Sequence, residues 1–137
     1  AAAVAAAQEV APGMPIVATL SFDTNLRTMM GVKPAQAITE IAAMGVRLIG
    51  ANCGRGTDEM RIIASEIADA KPADVHVFIQ SNAGLPQLVG ADFIYTGIPS
   101  EMGEFATEMK ALGIKAIGSC CGSTSEHTAA IAHALNS

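Results

Sequence analysis

The chain has no tryptophan, one tyrosine and four phenylalanines among its 137 residues. Large aromatic side chains therefore cannot dominate its core, and small and aliphatic residues must pack closely instead. Charge is also scarce: Asp, Glu, Lys and Arg make up 15% of the sequence, with a formal net charge of −5. The eight Lys and Arg residues are scattered, which excludes the clustered basic face of a nucleic-acid binder. No window holds about twenty consecutive apolar residues without charge, so no transmembrane helix is expected. The opening AAAVAAAQEV is apolar but has no basic residues before it, unlike a signal peptide. It reads as the tail of a helix that starts elsewhere, or as a trimmed end. Cysteine is rare too. Three is an odd number, which argues against a disulfide framework and for a reducing, cytoplasmic setting.

What is present is a well-buried globular composition. Half the residues are hydrophobic, and the length suits one domain with its own core. Four short apolar runs stand between Gly, Pro and polar residues: PIVATLSF (15–22), VRLIGAN (46–52), VHVFIQSN (75–82) and IKAIGS (114–119). Nearly continuous apolarity over strand length predicts strands buried on both faces. The intervening segments have helical spacing. Ile38, Ile41 and Met44 fall near one face after Pro34, with Gly45 as a stop. Thr57 reads as an N-cap followed by two acids. Met102, Phe105 and Met109 form a stripe ending at Gly113. Ser123 and Glu126 have capping-box spacing at the last helix. The order is a helix, then four strand–helix units, and that alternation predicts a parallel α/β sheet with right-handed crossovers. Residues 83–98 read as a long loop with a short extended piece.

The chain repeats itself. Residues 39–54 are TEIAAMGVRLIGANCG and residues 107–122 are TEMKALGIKAIGSCCG. Each copy encodes a helix, a turn and a strand ending on Gly-x-x-Cys-Gly. Cys53 and Cys121 thus occupy equivalent places at carboxyl ends of strands, the edge where parallel α/β folds build their sites.

Three readings of the cysteines stand at this point. A cysteine is often a small buried hydrophobe, but these three sit among Gly, Ser and Asn rather than inside the apolar runs. A redox reading needs a strained vicinal disulfide between Cys120 and Cys121. A metal reading uses three soft thiolates, a set that prefers zinc, with one coordination position left open as at catalytic sites. Asn82, in QSNAGLP, shares the strand edge, either as a turn residue or as a polar group aimed at metal or substrate. His76 reads as a satisfied core or barrel histidine. His127 and His133 read as solvated or capping. RTMMGVKP is either a loop over the site or a connection with two buried methionines.

GANCG, SNAGLP and IGSCCGSTSEH, in this order over most of residues 15–135, resemble the zinc-dependent homocysteine S-methyltransferase family. The chain departs from the family pattern at Ser119, where Gly is usual. The resemblance implies a (β/α)8 TIM barrel, of which four strand–helix units supply the C-terminal half, so residues 1–137 are expected to be a single partial domain. It implies Zn2+ on Cys53, Cys120 and Cys121, which would act catalytically through the metal. Gly50, Asn52 and Asn82 would be substrate-binding. The implied reaction transfers a methyl group from a donor to the thiol of homocysteine, forming methionine. The implied partners are homocysteine, the donor, and either a complementary half-barrel chain or a second copy. Neither nucleic acid nor membrane is expected. The alternative is a non-catalytic zinc-binding half-barrel serving assembly or regulation.

Overall fold

A computed structural model describes all 137 residues. Helix α1 (Ala2–Val10) precedes four strand–helix units. These are β1 (Val17–Leu20) with α2 (Pro34–Ala43), and β2 (Leu48–Cys53) with α3 (Thr57–Ala70). β3 (His76–Ser81) follows, then a hairpin of β4 (Pro86–Val89) and β5 (Asp92–Tyr95), then α4 (Pro99–Ala111). β6 (Ala116–Ser119) and α5 (Ser125–Asn136) complete the chain. The main sheet has the order β1-β2-β3-β6 and is parallel throughout. This is the predicted α/β architecture, with the content of half a (β/α)8 barrel; the sheet is open and does not close into one.

Side chains alternate across a strand, so in-register neighbours share a face. Ile49 pairs with Val77, Ala51 with Ile79, and Ile79 with Ile117. That face lies under the helices, where Ile38, Ile63, Ile67, Phe105 and Met109 join a core cluster of 19 buried residues. Burying one such aliphatic side chain contributes about 1.5–3 kcal/mol, so the helix–sheet layer is the main source of stability. The opposite face carries Thr19, Leu48, His76, Phe78 and Gln80, all half-buried or exposed. A smaller cluster of Met102, Ala106 and Ile131 joins α4 to α5.

The helix ends follow the sequence with local shifts. Pro34 opens α2, and Gly45 and Gly113 take the left-handed backbone that ends a helix. Gly56, not Thr57, is the N-cap of α3, because its φ of +104° suits glycine alone. The cap of α5 is Thr124, and His127 replaces Glu126 as the residue reaching back to it.

Three expectations are corrected. Residues 86–95 form an antiparallel hairpin, not a long loop; Gly90, with φ of +66°, supplies the tight turn. The signal was faint because Gly-Ala replaces the usual Asn-Gly. His76 is exposed on the open sheet face, so it is no core histidine; that face is the one a closed barrel would enclose, which leaves the barrel reading standing. Met29 and Met30 are 87% and 86% exposed, so their loop does not bury them.

Candidate metal centre

The ends of β2 and β6 flank β3, and all three sequence-predicted cysteines meet there. Their sulfurs lie within 4.8 Å of one another. Cys53 and Cys120 are closest, at 3.0 Å between Sγ atoms, and Cys120 and Cys121 stand 3.9 Å apart. The repeat aligned Cys53 with Cys121, yet its nearest neighbour is Cys120. The stagger explains this: Cys53 lies level with Ser81 and Ser119, so the second copy ends higher in the sheet.

The local backbone is unusual where the sulfurs converge. Cys53 has φ of +61°, a left-handed conformation that non-glycine residues rarely take. Such strain persists only where surrounding contacts enforce it, and it gathers at functional sites. Here the Cys53 carbonyl accepts the Asn82 N–H at 3.4 Å, and Gly54 follows with φ of +74°. On the other side, the Cys120 N–H donates to the Ser81 carbonyl at 2.9 Å.

Asn82 ties the two cysteine loops together. It is 7% exposed. Its Nδ2 donates to the Gly54 carbonyl at 2.8 Å, and its Oδ1 accepts the Cys121 N–H at 3.1 Å. Asn52 donates from Nδ2 to the Cys53 sulfur at 3.2 Å. Gly50 is required by packing: a Cβ there would stand 1.7 Å from the Phe78 carbonyl oxygen.

Tyr95 was missed by the sequence reading, which placed it in a loop. Its ring lies against the backbone of Gly122, where a Cβ would come within 2.1 Å of the ring. The only tyrosine, closing the short run DFIY after Gly-Ala, was the available signal. Its hydroxyl is pushed above its usual pKa by desolvation first, then by Cys121. Burial pushes the Cys120 thiol up from 9.0 to about 11, and its hydrogen bond with Cys53 adds to the rise. Desolvation leads both shifts, and the neighbouring cysteines add to each.

The donor set fits zinc. In a tetrahedral centre with Zn–S bonds of about 2.3 Å, sulfurs stand roughly 3.8 Å apart. The Cys120–Cys121 separation already matches, and the Cys53–Cys120 pair needs only to open. His76 and His133 are exposed and stand outside this trio. A cavity of about 990 Å³ is also remote. Met14, Val17, Leu48, His76 and Ala116 line it at the amino ends of the strands.

Comparison with known proteins shows the family of the chain. The family model described as Homocysteine S-methyltransferase matches residues 1–135. The chain belongs to the homocysteine S-methyltransferase family. The methionine synthase of Mycobacterium tuberculosis is 30% identical over 123 residues, covering 89% of this chain and 10% of that protein. The methionine synthase of Mycobacterium leprae is 29% identical over 123 residues, with the same coverage of each. The chain thus spans about a tenth of the length of these relatives. No helix is long and apolar enough to cross a membrane.

Proposed function

We propose that residues 1–137 are a single partial domain, the C-terminal, zinc-bearing half of an enzyme that methylates the thiol of homocysteine. The observation that carries this reading is the convergence of three cysteine sulfurs within 4.8 Å in a chain of this family. Cys53, Cys120 and Cys121 would hold the zinc and leave one position for substrate. Bound there, zinc supplies the Lewis acidity that keeps an incoming thiol ionised near neutral pH.

The chain's own residues supply placement. Asn82 holds the Cys53 and Cys121 loops at a fixed separation. Asn52 donates a hydrogen bond to one sulfur, drawing off part of its charge. By strand alternation Asn52 belongs to the open sheet face, so a substrate seated above Gly50 meets it and the edge of Asn82. Tyr95 walls the site on the hairpin side. A reacting sulfur and methyl carbon must be held about 3–3.5 Å apart, so a donor must approach from the open face. The two free sheet edges and that half-buried face support completion by a complementary half-barrel or a second copy.

Elemental analysis of protein purified without chelator should give about one zinc per site. A Cys53→Ser/Cys121→Ser double variant that keeps all its metal would overturn the ligand assignment. The chain should methylate homocysteine only with a completing half. If the completed, zinc-loaded assembly is inert with every donor tried, the non-catalytic zinc module replaces this reading.

A further inference from the structure

His127 lies outside the sulfur cluster, yet it is 6% exposed and both ring nitrogens have partners. Nδ1 lies 3.1 Å from the Thr124 N–H and 2.9 Å from Thr124 Oγ1. Nε2 lies 3.0 Å from the Gly97 carbonyl. A backbone N–H can only donate, so Nδ1 must be the unprotonated nitrogen. The proton then sits on Nε2 and is donated to Gly97, which fixes a neutral tautomer.

The bonds continue beyond His127 and return to the cysteines. The Gly97 N–H donates to the Ala83 carbonyl at 3.0 Å, and the Ala83 N–H donates to the Cys121 carbonyl at 3.0 Å. Thr124 is three residues after Cys121, so the path closes: Cys121, Ala83, Gly97, His127, Thr124 and back. The approach at Gly97 is close enough to demand glycine, since a Cβ there would stand 2.5 Å from the Ala83 carbonyl carbon. The circuit joins the end of β3, the exit of the hairpin and the start of α5 around the Cys120–Cys121 turn. His127 is the one residue whose side chain joins α5 to the hairpin in it.

We infer that His127 is a positioning residue for the metal centre: it holds Cys121 in ligating geometry by linking α5 to the hairpin. This rests on the proposed zinc reading. The bland alternative is that His127 merely caps α5, a role its bond to Thr124 would satisfy alone. The two roles separate because each ring nitrogen has its own isostere. Asn places an acceptor near Nδ1 and can cap the helix, but falls short of Gly97. Gln places a donor near Nε2 and reaches Gly97, but gives up the cap.

The test measures the zinc dissociation constant by chelator competition, in the protein as purified, for His127→Asn, His127→Gln and Ile131→Ala. Ile131 is buried on the same helix but stands outside the circuit, so its truncation reports general loss of stability. Residues that orient metal ligands change affinity 10–100-fold. His127→Asn, which loses the Gly97 link, should weaken zinc binding by about 10-fold, with His127→Gln and Ile131→Ala nearer wild type. Wild-type affinity in His127→Asn would reduce the residue to a helix cap and overturn the inference. Equal weakening in all three variants would overturn it as well, by assigning the effect to stability. A wild-type protein that takes up no zinc would defeat the zinc reading first, and this inference with it, before any variant is compared.

Discussion

The sulfurs of Cys53 and Cys120 stand 3.0 Å apart although 67 residues separate them in the chain. That contact ranks the possible oxidation products. A disulfide between them needs about 1 Å of further approach to reach bonding distance, whereas Cys120 and Cys121 start at 3.9 Å and must strain the backbone. Diamide treatment of metal-free protein should therefore yield the Cys53–Cys120 bond first, the two thiols giving up two protons and two electrons to the reagent. Peptide mapping by mass spectrometry reads the product. A dominant vicinal disulfide would show that the sulfurs are not held as described.

Asn82 should matter to both metal and fold. Asn82→Ala leaves the Gly54 carbonyl and the Cys121 N–H without partners beside a buried position. The expected cost is about 1–3 kcal/mol of stability for each partner left unsatisfied, together with weaker zinc binding. Asn82→Asp keeps the acceptor for Cys121 but sets a carboxylate against the Gly54 carbonyl, so it should be worse than alanine at neutral pH. Denaturant midpoints and zinc competition measure the two effects. An alanine variant equal to wild type in both would remove the clamp.

Cys120 gives the metal-free protein a pH signature. Its folded thiol keeps its proton to about 11, while the ordinary value is 9.0. Between those values the folded state binds more protons than the unfolded one, so stability falls as pH rises. The contribution is fully present below 9.0 and lost by about 11. Reduced, metal-free protein should lose denaturant resistance across that window. Cys120→Ser should show a shallower loss. The same slope in the variant would assign the effect to other groups.

How much of this was legible in the sequence follows from the range of the forces involved. The strands and helices were readable because local apolar spacing sets them; Met102, Phe105 and Met109 are buried as their stripe requires. The cysteine edge was readable because the repeat marks two strand ends. The partners of each group depend on stagger between strands, which no local pattern encodes. Hence Cys53 meets Cys120 and not its repeat mate. Hence too the amide of Asn82 bridges two backbones. His127 could not be assigned because its link to Gly97 needs the hairpin, and the hairpin's Gly-Ala turn lacks the usual signal.

Substrate thiol should enter the zinc environment directly. The chain offers three sulfurs in one cluster, so a four-coordinate site has one place for a ligand that is not a cysteine of this chain. Zinc X-ray absorption should then show three sulfurs and one lighter neighbour at rest. On adding L-homocysteine to the completed assembly, the count should rise to four sulfurs at about 2.3 Å. Methionine should change the spectrum far less, because a thioether carries no charge and is a weak ligand. The comparison isolates the thiol: both molecules present the same amino and carboxyl groups. A spectrum unmoved by homocysteine in a fully metallated, fully assembled protein would leave the cysteines with a structural role and end the methyl-transfer reading.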